Sequence, residues 1–183
     1  MKILFLMFLT FSLSFCSVDS KEIANALKYN AYKYNINKKI LYTIAKIESN
    51  FKINIITFVS EKKWNINGGG IKTKNNKYKN KYLVQIEGNI YSLKKITSYL
   101  IQNGYKVDVG LMQINSQNFN LNELNDVFTI DYNIKKAISI LEQCKNKFQS
   151  IKNTIECYNK GNRIGKKYDY YQKFVNNYIK DFG

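Results

Sequence analysis

The chain has 183 residues, 45% of them hydrophobic, which is enough for one domain with a real core and too few for two ordinary domains with linkers. It carries 29 Lys+Arg against 13 Asp+Glu, a formal charge of +16, an excess that attracts nucleic acid, anionic membrane surfaces or an acidic polymer. Histidine is absent, which excludes Ser-His-Asp and Cys-His nucleophile pairs and His-ligated zinc, and leaves acid–base chemistry to carboxylates, Tyr, Lys or Cys.

Residues 1–17 hold one Lys, the run Ile3-Leu4-Phe5-Leu6-Met7-Phe8-Leu9 with Phe11, then Ser12, Ser14, Cys16 and Ser17. That order reads as a secretory signal peptide, too short for a comfortable membrane span, followed by one domain over 18–183. Leu13-Ser14-Phe15-Cys16 is similar to a lipoprotein box, but the bulky Phe15 before the cysteine fits it poorly, so anchoring at Cys16 is the lesser reading. Ile23, Ala24, Leu27, Ala31 and Tyr34 then form a helical stripe over about 20–34, with Ser20 as its cap.

Ile40, Leu41, Ile44, Ala45, Ile47 and Phe51 recur at helical spacing, and Glu48 continues the Ile40/Ile44 line by one more turn. A carboxylate therefore ends an apolar stripe. Loss of water and the negative end of the helix dipole both disfavour its charged form, which is how a general acid comes to hold a proton near neutral pH. The plainer reading is a carboxylate at the edge of a core with its head in water.

From 52 to 108 the pattern changes to short apolar runs, Ile53 to Val59 and Tyr82 to Ile86, separated by Asn67-Gly68-Gly69-Gly70 and a Lys/Asn-rich run. This predicts two or three short strands joined by a flexible, positively charged loop, and makes 52–106 a β-containing insertion. A helix follows over about 93–103, with Ser92 before it and Gly104 as its stop. Three more come from Ile134, Ala137, Ile138, Leu141 and Phe148 behind an Asn133 or Asp131 cap, from Ile151, Ile155 and Tyr158, and from Tyr171, Phe174, Val175, Tyr178 and Ile179. Cys144 and Cys157 are the pair left outside the signal; in an exported chain they form a disulfide or remain two buried thiols. No internal repeat, CxxC or phosphate-binding glycine loop is present.

Three pieces in order, Glu48-Ser49, then Asp108-Val109-Gly110-Leu111-Met112-Gln113-Ile114-Asn115, then Cys157-Tyr158-Asn159-Lys160-Gly161, resemble the motifs of the lytic transglycosylases of the lysozyme-like superfamily. The likeness is nearest to the small transglycosylases that accompany type IV and related secretion systems. It implies a mainly α (α+β lysozyme-like) fold, a helical domain around a substrate groove with a small β-containing insertion. It makes Glu48 the single catalytic acid and Ser49 a neighbour that orders the site. Gly110 would let the backbone come close to a sugar. Met112 and Gln113 would line the groove, Gln113 offering both a donor and an acceptor. Tyr158 and Asn159 would form one wall, with Tyr170 near the acid. Taken by themselves, Met112 and Ile114 read as core and Tyr158 as an ordinary helix-face aromatic. Cys157 and Lys160 stand where many members have Ala, so the wall keeps Tyr-Asn and changes its neighbours.

The reaction implied is cleavage of the MurNAc-GlcNAc β-1,4 bond of peptidoglycan, with no metal or organic cofactor. Glu48 protonates the bridging oxygen, then takes the proton of the MurNAc C6 hydroxyl as it closes onto C1 to give a 1,6-anhydro end. Asp108 is read as a structural cap or a lysine partner, which leaves the N-acetyl group of the substrate to stabilise the oxocarbenium-like centre. The alternatives are a goose-type lysozyme-like hydrolase with the same acid and a non-catalytic wall-binding component of a secretion apparatus. The implied partners are peptidoglycan glycan strands and a secretion or pilus machine. An exported, periplasmic chain argues against nucleic acid, so its basic surface meets anionic lipid or the carboxylates of peptidoglycan stems.

Overall fold

A computed structural model of the chain describes residues 20–165 and 167–183; the signal-peptide reading of 1–17 and the Cys16 anchor lie outside the described residues. The first helix, α1, spans Ser20–Lys33 and buries Ile23, Leu27 and Ala31 of the expected stripe, while Ala24 is exposed. The second, α2, spans Lys38–Ser49 and starts at Asn37, whose side chain accepts from the Lys39 N–H at 2.9 Å. It ends at Asn50, which takes the left-handed conformation (φ 51°) and returns its N–H to the last turn. Leu41, Ile44 and Ala45 are fully buried, so Glu48 projects from the end of a helix whose inner face is locked in the core.

Between α2 and the next motif the chain makes three strands, β1 (Ile55–Ser60), β2 (Lys72–Tyr78) and β3 (Lys81–Glu87). The Lys/Asn-rich run is therefore β2 and not a flexible loop. All seven of its residues pair with β3, and its outer edge is partly covered by the 64–67 segment, to which Thr73 and Asn75 hydrogen-bond, and is studded with Lys, which discourages pairing with another chain. Helix α3 (Ile90–Gln102) begins one turn earlier than the apolar stripe suggests, because Asn89 and not Ser92 is the cap: its side chain accepts from the Ser92 N–H at 2.9 Å. Gly104 ends it with φ 79°.

The Asp-Val-Gly-Leu-Met-Gln-Ile-Asn run supplies two further strands, β4 (Val107–Val109) and β5 (Ile114–Asn115), joined by a tight turn. All pairings are antiparallel in the order β2-β3-β1-β4-β5, so the sheet grown from the 52–106 segment is continuous with this motif. The remaining helices are α4 (Leu124–Val127), α5 (Ile130–Phe148), α6 (Ile151–Lys160) and α7 (Asp169–Phe182). Side chains of α2, α3, α5, α6, α7 and the sheet join one buried cluster, the mainly α, lysozyme-like arrangement. Among the described residues no helix is long and apolar enough to cross a membrane.

Neither Asn133 nor Asp131 caps α5. Its cap position is Thr129, and Asn133 is buried inside the first turn. There the Asn133 amide donates to Val109 O (2.9 Å) and Val127 O (2.7 Å), while its oxygen accepts from Met112 N (2.7 Å). One buried side chain thus satisfies three main-chain groups of the β4–β5 turn and α4, a role that periodicity does not reveal.

Cys144 of α5 and Cys157 of α6 are joined in a disulfide with Cα atoms 5.8 Å apart. Thirteen positions separate them, a loop length for which cross-linking restricts the unfolded chain by about 3 kcal/mol. The Cys144→Ser/Cys157→Ser double variant is expected to lose about 3 kcal/mol in denaturant unfolding of oxidised protein, and to match the wild type once the latter is reduced.

Candidate active site

The end of α2, the β4–β5 hairpin and the end of α6 face a cleft of about 590 Å³, within the usual range of about 300–1,000 Å³ for ligand sites. Glu48 and Asp108 share this cleft with Gln113, Asn115, Tyr158 and Asn159. The sequence-selected Glu48, Gln113, Tyr158 and Asn159 thus come together from three separate stretches of chain.

Glu48 is half-buried and accepts a hydrogen bond from the hydroxyl of Tyr170 on α7, which packs against α2. Burial pushes its carboxyl up from 4.5 to about 7, the largest effect; the Tyr170 hydroxyl holds it down, the negative charge of Asp108 adds to the rise, and Lys173 opposes it. A shift of that size corresponds to about 3 kcal/mol of preference for the neutral acid. Tyr170 is buried, and burial together with the neighbouring Glu48 raises its phenol well above 10, so it remains a donor at every working pH. The Tyr158 ring lies beside that of Tyr170, centroids 6.5 Å apart, and its hydroxyl donates to Met112 O at 2.7 Å. That bond ties α6 to the β4–β5 turn across the site.

Among the described residues Asp108 is neither a helix cap nor a lysine partner. It lies on β4 opposite Asn115 of β5, whose amide donates to it at 2.7 Å. Burial raises its carboxyl from 3.8 to about 6, partly offset by that bond. Two carboxyls with elevated pKa values therefore share the cleft, and each disfavours ionisation of the other.

Four of the expected site residues, Ser49, Gly110, Met112 and Tyr170, do not line the cleft, and Tyr170 meets it only through its bond to Glu48. Ser49 is buried and its hydroxyl returns to Ala45 O at 3.2 Å. Met112 is fully buried core and contributes its main chain, as donor to Asn133 and acceptor from Tyr158. Gly110 is needed for packing: its φ is 76°, and a Cβ there would lie 2.6 Å from the Asn133 amide nitrogen. Gln113 faces the cleft, but its amide already donates to Gly110 O at 2.8 Å, so its carbonyl oxygen and one N–H remain for a ligand.

The structure adds a residue that the motifs do not flag. Glu156 of α6 is completely buried and accepts from the Tyr171 main-chain N–H of α7 at 2.7 Å, while its other oxygen pairs with Lys160. The residue at the α7 cap position, Tyr168, makes no side-chain cap bond, so Glu156 caps the helix from outside, one residue from Tyr170. It thereby fixes the turn that delivers the Tyr170 hydroxyl to Glu48. The sequence signal was a Glu-x-x-x-Lys spacing on α6, which reads as an ordinary surface pair. Among the described residues no group of three or more His, Cys, Asp or Glu side chains could hold a metal ion.

A mainly α domain with a small antiparallel sheet on one side of a carboxyl-bearing cleft defines a lysozyme-like protein. Residues 25–179 match the family model described as Transglycosylase SLT domain, and the chain belongs to that family, the lytic transglycosylases of peptidoglycan. Neither a curated protein nor a solved structure matches the chain.

The two neighbours of Glu48 act on its proton in opposite senses. Tyr170→Phe removes a bond that favours the carboxylate, so the midpoint of the Glu48 titration should move upward. Asp108→Asn removes a like charge, so the same midpoint should move downward. Both are read from carboxyl carbon NMR of the two variants, titrated between about pH 4 and 9.

Proposed function

We propose that Glu48 is the general acid and base of this transglycosylase. It cleaves the MurNAc-GlcNAc β-1,4 bond and leaves 1,6-anhydroMurNAc ends. The observation that carries this reading is a carboxyl held inside the cleft with a pKa of about 7, bonded to a tyrosine that cannot give up its proton. At neutral pH about half of such groups are protonated, which suits both halves of the reaction. Glu48 first donates to the bridging oxygen. As carboxylate it then accepts the proton of the MurNAc C6 hydroxyl while that oxygen bonds to C1. Gln113, Asn115 and Asn159 supply amide groups around the cleft for sugar hydroxyls and acetamido groups. Holding the C6 hydroxyl closer than water favours ring closure over hydrolysis.

The position of Asp108 favours a second reading. A carboxylate beside the bond that breaks could stabilise the oxocarbenium-like centre, with water as acceptor, giving a lysozyme-like hydrolase with the same acid. The two differ in product, an anhydro end or a reducing MurNAc.

The Cys144–Cys157 disulfide supports an oxidising compartment, consistent with export of the chain to the periplasm. Service to a secretion or pilus machine and contact of the basic surface with anionic lipid belong to the same reading, on the strength of the motif likeness and the charge of +16.

Digestion of purified peptidoglycan followed by mass spectrometry of the muropeptides tests the proposal. The wild type is expected to release anhydro-ended products, and Glu48→Gln to lose activity by about 10²-fold or more. Products ending in reducing MurNAc would point to the hydrolase, and an undiminished Glu48→Gln variant would overturn both readings.

A further inference from the structure

Besides its two acids and its amides, the cleft is lined by Lys106, Lys147, Lys160 and Arg163. Lys160 is engaged: it pairs with buried Glu156 and donates to Lys167 O at 3.1 Å. Lys106, Lys147 and Arg163 are exposed, and among the described residues none of them makes an ion pair. Three uncompensated cations therefore stand at the mouth of a cleft whose two acids are held partly neutral.

The identity of one of them is informative. Of the 29 Lys+Arg in the chain only Arg163 is arginine. In a composition that supplies Lys everywhere else, the one planar guanidinium lies in the cleft, where its fork of donors suits a carboxylate held by two parallel bonds. The GlcNAc-MurNAc backbone is neutral and offers a guanidinium no charge partner. The anionic groups on the polymer are the carboxylates of the stem peptides, which hang from every second sugar.

We propose that Arg163, with Lys106 and Lys147, forms a carboxylate-binding subsite at the mouth of the cleft that reads the stem peptides. The enzyme then takes strands with charged stems ahead of strands whose stems are neutral. This rests on the peptidoglycan reading above and names the part of the polymer recognised beyond the scissile bond. The selectivity acts through binding, so it falls on KM and leaves kcat nearly unchanged.

The test compares soluble, uncrosslinked peptide-bearing glycan strands with the same strands after carbodiimide coupling to methylamine, which turns each stem carboxylate into a neutral amide and leaves sugars and peptides in place. The wild type is expected to favour the untreated strands about tenfold in kcat/KM. Arg163→Gln should bring that ratio close to one through KM. Lys72→Gln, which removes a charge from exposed β2 outside the cleft, should keep it. Equal rates on both strands for the wild type, or equal loss of preference in Arg163→Gln and Lys72→Gln, would overturn the subsite. Binding of the Glu48→Gln variant to the two strand forms reads the subsite without turnover. Absence of cleavage with the binding preference intact therefore counts against the proposed chemistry alone, and equal binding counts against the subsite.

Discussion

The removal of water from one carboxyl is the constraint on which the rest of the structure depends. Glu48 sits where α2 runs out, behind a helix face that is wholly core and in front of buried Tyr170 and half-buried Tyr158. Its folded pKa of about 7 lies above the ordinary 4.5, so the folded state keeps a proton that the unfolded chain gives up over that interval. The stabilisation associated with that proton is complete below the unfolded value and is lost as pH rises through the folded one. The fold thus gives up some stability at neutral pH to keep an acid in reserve, and the neighbouring Asp108 increases the cost.

The elements around the cleft are held together by links between helices and between helix and sheet. Asn133 fastens the β4–β5 turn to α5, Tyr158 fastens α6 to the same turn, and the disulfide fastens α5 to α6. Glu156 then fastens α6 to the start of α7 and so sets the height of Tyr170 over Glu48. The three hydrogen-bonded links each satisfy a buried polar group as well as joining two elements, which is why they cannot be exchanged for apolar contacts.

Much of this was legible in the sequence because it follows local periodicity. The stripes of α2 and α5, the Gly104 stop of α3, and the position of Glu48 at the end of an apolar line all rest on spacing within one or two turns, whereas Ile151 and Ile179 of the α6 and α7 stripes are exposed. What escaped depends on contacts between distant parts of the chain. The Lys/Asn run reads as loop because nothing in it is apolar, yet β3 supplies a full ladder of partners for it. Asn133 reads as a cap because Asn near a helix start usually is one; only the fold shows that it points inward. Met112 and Gly110 belong to the motif, but one is core and the other makes room for Asn133. Asp108 gave the least local signal, since its partner Asn115 becomes its neighbour only when the hairpin closes.

The most direct measurement is of the proton itself. Carboxyl carbon NMR of protein labelled in glutamate, with the Glu48 resonance assigned by its loss in Glu48→Gln, follows that group alone through a pH titration. A midpoint near 7 is the result the account predicts. A midpoint near 4.5, the value of a carboxyl open to water, would contradict it, because Glu48 would then have no proton to give at the pH where the chemistry is proposed to occur.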